Sequence, residues 1–387
     1  MNILLLEPYC TGSHRAWAEG YARHSTHQVN LLTLPGRWWK WRMHGGAVTL
    51  ARRAKAWLRR AGARPDLLLV TDMLDLTTFL ALTRRWSAGI PVALYMHENQ
   101  LTYPLPQNPA TGPMRRNRGQ RDLHYAFINY ASMLAAERIC FNSQFHQDDW
   151  FAALPKLLKH FPDHHEIETV AALKEKSTVL PLGLDLQRLD LAKDSDPLKP
   201  DPISPLILWN HRWEYDKGPE TFFQALYALQ DEGVDFQVAV CGENFRRAPA
   251  EFDRAREKLG DRILQWGRVQ SFEAYASLLW RADIVVSTVL HDFFGAAVVE
   301  ALYCGCRPVL PHGLAYAEHI PKSHWADSLY QEFEGLLALL RTAIEKAGPT
   351  TAGLEHPCEI GRQVARYDWE TITKRYDQLF SSLGQTG

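Results

Sequence analysis

The sequence predicts an α/β protein of two doubly wound domains, each built on a mostly parallel sheet. Three observations lead there. The chain has 387 residues, more than a single hydrophobic core usually serves. Short apolar runs alternate with helical patterns through both halves, the βα rhythm of parallel sheets. That rhythm breaks at one Lys/Asp/Pro-rich stretch, KDSDPLKPDPISP, whose composition holds no core element.

The elements follow in order. Strands are expected at 3–6, 29–34, 67–71, 92–96, 139–142 and 178–182, with helices at 47–61, 74–86 and 121–137 between them. After the polar stretch come strand 205–209, helix 219–232, strand 236–241, helix 248–259 and strand 263–266. Helix 271–281, strand 284–287, helix 296–304 and strand 307–310 complete that unit. The expected division is a first domain at 1–186, a linker at 187–204, a second domain at 205–366 and a terminal helix within 367–387.

Composition narrows the class. A hydrophobic fraction of 46% and a charged fraction of 22% suit a soluble globular enzyme. The opening Met1-Asn2 runs straight into Ile3-Leu4-Leu5-Leu6, too short an apolar run for a signal peptide. No stretch approaches the roughly 20 apolar residues that cross a bilayer. The cysteines at 10, 140, 241, 304, 306 and 358 are scattered among strand-like runs and read as reduced core thiols of a cytoplasmic protein. Cys304-Gly305-Cys306 is a close pair without a matching second pair, so no metal is expected there. His160, His164 and His165, in a polar loop with Pro162, read as solvated.

Charge is distributed unevenly. Residues 1–64 hold eleven Lys/Arg and two acids, Glu7 and Glu19, for a net +9, while the whole chain carries −1. Such a local excess points to a polyanionic partner. Arg37, Trp38, Trp39, Lys40, Trp41 and Arg42 mix cations with rings in an expected loop. In the helix after it, Val48, Ala51, Ala54, Trp57, Leu58 and Ala61 are expected on the core face, with Arg52, Arg53, Lys55, Arg59 and Arg60 mostly elsewhere. A further basic run holds Arg115, Arg116, Arg118 and Arg121. Cations bind phosphates and indole rings stack on unpaired bases, which favours RNA. An anionic membrane surface is the rival, because basic amphipathic helices with Trp bind lipid.

The second half carries a phosphate-and-sugar pattern. Arg212 and Lys217 stand just past a strand and at a helix start, where helix N–H groups add to the cations in holding a diphosphate. Asp292 and Glu300 bracket a Phe-Gly turn and suit sugar and ribose hydroxyls. Gly295 and Ala296, at the turn and the helix start, let backbone come close to a ligand. Gly242 follows another strand in the same way. In the first half, Gly12 sits in the loop Thr11-Gly12-Ser13-His14 after strand one, and His97 lies at the carboxyl end of strand four, where open α/β sheets bind ligands.

These motifs carry a resemblance. Arg212-x4-Lys217 and Asp292-x7-Glu300 resemble the retaining family-4 glycosyltransferases of the GT-B class, two Rossmann-like domains facing an inter-domain cleft. That class usually has Glu where this chain has Asp292. ILLLEPYCTGSHRAWAEG, TDMLDLTTFLAL, MHENQLTYP, NSQFH, LPLGLDL, LWNHRWEYDKGPETFF and HDFFGAAVVEALYCGCRPVLP more specifically resemble the tRNA-queuosine alpha-mannosyltransferases. The resemblance implies transfer of mannose from GDP-mannose to queuosine in a tRNA anticodon, with no metal. It implies that Arg212 and Lys217 hold the diphosphate, Glu300 the ribose, and Asp292 and His97 the sugar. It also implies a last helix, after Tyr367-Asp368-Trp369, that crosses back onto the first domain. A lipid- or polysaccharide-precursor glycosyltransferase and a non-catalytic tRNA-binding protein stay open as alternatives.

Overall fold

The computed structural model describes residues 1–104, 122–193, 204–243, 249–347 and 355–384. The chain divides into two compact units: Met1–Leu184 together with the C-terminal residues from Trp369, and Asp185–Asp368. The basic run with Arg115, Arg116 and Arg118 lies outside the described residues.

The first unit is a six-stranded sheet in the order β2-β1-β3-β4-β5-β6. Its strands are β1 (Asn2–Cys10), β2 (Gln28–Pro35), β3 (Leu67–Thr71), β4 (Val92–Met96), β5 (Arg138–Phe141) and β6 (Ser177–Val179). All of the pairings described are parallel. Helices α1 (Gly12–His24), α2 (Trp39–Ala61), α3 (Leu76–Ser87), α4 (Leu123–Ala135), α5 (Gln144–Leu158) and α6 (Thr169–Glu175) connect them. Ile3–Leu6 and Leu67–Val70 are fully buried because a parallel sheet is covered on both faces, and this is why the strands read as unbroken apolar runs. Asp75 and Ser143 cap α3 and α5 by accepting Thr78 and His146 N–H at 2.9 Å.

Three expectations change here. Helix α2 begins at Trp39, eight residues before the expected start, so most of the Trp-rich segment is helix and not loop. Its glycine pair, a weak helix former, serves packing: a Cβ on Gly46 would meet Pro8 at 3.0 Å and one on Gly45 would meet Trp41 at 2.5 Å. The core face of α2 is Met43, Gly46, Ala47, Leu50, Ala51 and Ala54. Val48 is 56% exposed, on the opposite side of the 3.6-residue period. Strand β6 is shorter than expected, since the chain leaves the sheet after Val179 and Gly183 runs beneath the Trp369 ring, with no room for a Cβ.

The second unit is a six-stranded parallel sheet in the order β12-β11-β10-β7-β8-β9. Its strands are β7 (Leu206–Asn210), β8 (Gln237–Cys241), β9 (Ile263–Gly267), β10 (Ile284–Val286), β11 (Arg307–Pro311) and β12 (Leu329–Tyr330). Its helices are α7 (Pro219–Asp231), α8 (Glu251–Leu259), α9 (Phe272–Arg281), α10 (Ala296–Tyr303), α11 (Phe333–Lys346) and α12 (Glu355–Val364). Residues 187–192, the expected start of the linker, instead form a 3-10 helix with Leu189 buried; the Trp280 indole N–H donates to the Leu189 carbonyl.

Helix α13 (Trp369–Gly384) belongs to the first unit. Trp17 donates to the Tyr376 hydroxyl at 3.1 Å, which in turn donates to the Pro181 carbonyl at 2.8 Å. Asp377 accepts from Tyr21, Ser25 and Thr26. These hydrogen bonds hold its carboxyl below the ordinary value against a burial effect that works to raise it. No helix among the described residues is long and apolar enough to cross a membrane. Cys10, Cys140, Cys241, Cys304 and Cys306 are buried free thiols.

Candidate functional site

Open α/β sheets bind ligands at the carboxyl ends of the strands where the strand order reverses. In the second sheet that reversal falls between β7 and β10, neighbours in space with β8 and β11 on their far sides. Arg212 and Lys217 follow β7, and Asp292 and Glu300 follow β10. Four sequence-predicted residues therefore come to one switch point.

Their loops are tied together by backbone. Leu290 donates to the Asp216 carbonyl at 2.8 Å. The Thr288 hydroxyl bonds the carbonyls of Lys217 and Gly218 at 3.1 and 2.9 Å. Gly218, at φ +63°, precedes Pro219 at the start of α7, and a Cβ on it would lie 2.0 Å from the Thr288 carbonyl oxygen. Only glycine fits this crossing. Lys217 Nζ stands 3.0 Å from Asp216, and Arg212, half exposed, stands 3.3 Å from Glu214.

Asp292 accepts the Phe294 N–H and the Tyr316 hydroxyl, at 3.3 and 3.1 Å. Burial works to raise its pKa. The charge of Lys217 and these two hydrogen bonds outweigh burial and hold it below the ordinary carboxylate range. Asp292 is thus an ionised acceptor. Glu300 takes a hydrogen bond from Tyr275, whose oxygen accepts from Asn210 at the end of β7. Burial pushes Glu300 up, with the Tyr275 bond pulling the other way.

Gly295 caps α10 at φ +83°, and the Tyr316 ring fills the space a Cβ would need. Ala296 opens the helix beside it, partly exposed. Gly242, at φ +130°, has no room for a Cβ, which would sit 1.9 Å from the His211 carbonyl oxygen; strand-end backbone by itself demands that glycine.

Residues that the sequence reading missed surround this site. Burial and the Lys217 charge press His211 down to about 3, so it is a neutral ring. His319 is buried, and its Nε2 must carry the proton because it faces the Phe294 carbonyl at 2.7 Å; Nδ1 then accepts from Tyr367. Only His211 had a local signal, being inside the quoted LWNHRWEYDKGPETFF motif.

The first sheet reverses between β1 and β3. Gly12, at φ +49°, opens α1 into free space. Behind it lies a buried polar cluster. Glu7, within β1, holds His14 Nδ1 at 2.9 Å. The His14 ring lies 4.1 Å from the His97 ring, and Asp72 accepts the His97 backbone N–H at 2.8 Å. Burial works against a charged His14, but Glu7 outweighs it and the pKa rises to about 9. Burial pushes Asp72 up to about 8, so this acid keeps its proton near neutrality; its Oδ2 has no partner. His97 is pressed well down by burial and by the neighbouring His14 charge, and its Nε2 has no partner. His97 is the cluster member predicted from sequence. Glu7 was legible as an acid in the apolar run ILLLEPYC.

Glu7, His14 and His97 bring possible ligand atoms within 4.8 Å of one another. The two imidazoles overlap, 32° apart in plane, and Glu7 is engaged by His14, so the donor set suits a hydrogen-bond network better than metal coordination. An apolar hollow of about 770 Å³ lies elsewhere in the unit, lined by Phe127, Tyr130, Phe161, His160, His164 and His165. It touches neither switch point.

On the surface of the first unit, Arg37, Trp38, Lys40, Arg52 and Arg59 are exposed. Arg42 and Arg53 each donate to a backbone carbonyl, of Pro35 and Thr33. Lys40 lies 5.5 Å from the Trp39 ring centre and 5.7 Å from that of Tyr125.

Known proteins share this architecture. A sucrose-phosphate synthase from Thermosynechococcus elongatus superposes with a TM-score of 0.71 at 16% identity, over 100% of both chains. Anabaena HepE, in complex with UDP, gives 0.67 at 16% identity over 99% of this chain and 100% of that one. Residues 192–319 match the family "Glycosyl transferases group 1". The chain is thus a glycosyltransferase of the GT-B class.

Residues 2–184 match the model "tRNA-queuosine alpha-mannosyltransferase N-terminal". The tRNA-queuosine alpha-mannosyltransferase of Drosophila melanogaster is 32% identical over 333 residues, 84% of this chain and 82% of that one. The chain belongs to the tRNA-queuosine alpha-mannosyltransferase family. A GDP-mannose-dependent phosphatidylinositol dimannoside mannosyltransferase of Mycobacterium tuberculosis is 30% identical over 147 residues, 37% of this chain and 38% of that one.

Proposed function

We propose that this protein moves mannose from GDP-mannose to the cyclopentene diol of queuosine in a tRNA anticodon, with retention of configuration and without a metal. The observation that carries the reading is Lys217 beside an ionised Asp292 at the second switch point, in a chain of this family. In the reaction the bond from the anomeric carbon to the diphosphate breaks, and the bond to the acceptor oxygen forms. The acceptor proton goes to a donor phosphate oxygen. Arg212 and Lys217 stabilise the negative charge that builds on the departing nucleotide. Asp292 accepts from sugar hydroxyls and Glu300 from ribose hydroxyls, as carboxylates do. His97 offers a neutral ring to a sugar hydroxyl. The cations of α2 and the segment before it meet the tRNA backbone, and the protein works in the cytoplasm.

Purified protein with GDP-mannose and queuosine-containing tRNA tests this by nucleoside mass. A hexose added to queuosine, and none with queuosine-free tRNA, is the expected result. Unmodified queuosine after full incubation overturns the reading.

A further inference from the structure

One face of α2 is open along its whole length. Trp41, Gly45, Val48, Arg52, Lys55 and Arg59 recur at steps of four and three residues, which is one stripe of a helix. The stripe spans roughly 27 Å at the helical rise per residue. Trp41 is 62% exposed at its amino end and Val48 56% exposed beyond it. Among the described residues no acid pairs with Arg52, Lys55 or Arg59.

The tryptophan is held in place. Its six-membered ring rests on Gly45, where a Cβ would lie 2.5 Å from Cζ2 and 2.6 Å from Cε2. The absence of a side chain at Gly45 therefore gives the indole a seat on the helix, with much of the ring left to solvent. An indole fixed on one side and bare on the other is a stacking surface, and the cations that follow on the same stripe complement a polyanion.

We propose that Trp41, seated on Gly45, stacks an unpaired nucleobase of the acceptor RNA, and that Arg52, Lys55 and Arg59 track the adjoining phosphates. This rests on the reading of the acceptor as tRNA. It adds a base-binding subsite to a surface otherwise defined by charge.

The test measures binding of a synthetic anticodon stem-loop RNA, and of the same RNA made abasic at each loop position in turn, across a salt series. Trp41→Ala is expected to weaken binding about 5- to 100-fold with the salt slope unchanged. One abasic position should weaken the wild type by a similar factor and Trp41→Ala no further. Gly45→Ala, which lifts the ring without removing it and favours the helix, should weaken binding without lowering Tm. Arg52→Glu with Arg59→Glu should lower the salt slope by about 2. Equal binding by Trp41→Ala and wild type, or equal abasic losses in both, overturns the subsite. So does Trp41-dependent sedimentation with phosphatidylserine vesicles in a protein that does not bind the stem-loop. Hexose transfer by the wild type is scored separately: transfer with an inert Trp41 defeats only the subsite, and absence of transfer defeats the function.

Discussion

The two switch points share a topology and handle charge in opposite ways. In the second unit, Lys217 and Arg212 sit next to acids at 3.0 and 3.3 Å, and Asp292 is kept ionised by the Lys217 field. In the first unit, the acid Asp72 is kept protonated by burial and the cation is a histidine, His14, clamped by Glu7. One site holds fixed charge. The other stores protons in a closed network and presents a neutral ring, His97. Burial works to raise the acids of both sites, and what separates them is the lysine beside Asp292, which with the hydrogen bonds there outweighs burial and has no counterpart beside Asp72 among the described residues.

Lys217→Ala should break the second site most severely. Removal of one group that stabilises charge in the transition state costs about 10²–10³-fold in turnover. The thermal unfolding midpoint should fall as well, because the substitution takes the Lys217 cation from beside the buried Asp216 and the partly buried Asp292, while the Thr288 hydroxyl still holds the loop through the carbonyls of residues 217 and 218. Wild-type turnover in this variant would remove the lysine from the chemistry and leave the second switch point a structural crossing.

Glu7→Gln probes the first site through pH. His14 has a folded pKa of about 9 against an unfolded value of about 6.5. A raised cation pKa stabilises the fold fully below about 6.5, and that contribution is lost as pH rises through about 9. The stability gap between wild type and Glu7→Gln should therefore be about 2–3 kcal/mol near pH 6 and close toward pH 10. Denaturant titrations across that range measure it. A gap that stays constant with pH would show that Glu7 contributes packing and not charge.

The difference between the sites also explains what the sequence disclosed. Strands β3 and β4 were readable to the residue, because burial on both faces writes a continuous apolar run. Arg212, Lys217, Asp292 and Glu300 were legible as candidates because they are charged residues following the apolar runs of β7 and β10, at spacings that resemble a known family, with Lys217 and Asp292 within three residues of a glycine. The network of the first site was mostly hidden. Glu7, His14, Asp72 and His97 come from three strand ends up to 90 residues apart, and nothing local records that they meet. The start of α2 was misread for a similar reason: Gly45 and Gly46 look like helix breakers until Trp41 and Pro8 are seen to occupy the space above them.

A milder substitution sharpens the comparison within the second site. Tyr275 connects Asn210, on β7, to Glu300, on α10, by two hydrogen bonds. It touches no predicted ligand group itself, so it acts by positioning. Tyr275→Phe leaves the Glu300 carboxylate without its donor and the ring in place. Loss of a hydrogen bond to a charged group is worth about 1.5–3 kcal/mol, shared here between stability and donor binding. The expected outcome is a rise of about 5- to 10-fold in KM for the nucleotide-sugar with kcat nearly unchanged, since the ribose lies away from the bond being broken. A fall in kcat at constant KM would move Glu300 from the nucleotide to the reacting sugar, and would make the second switch point a site where both carboxylates act on the transition state.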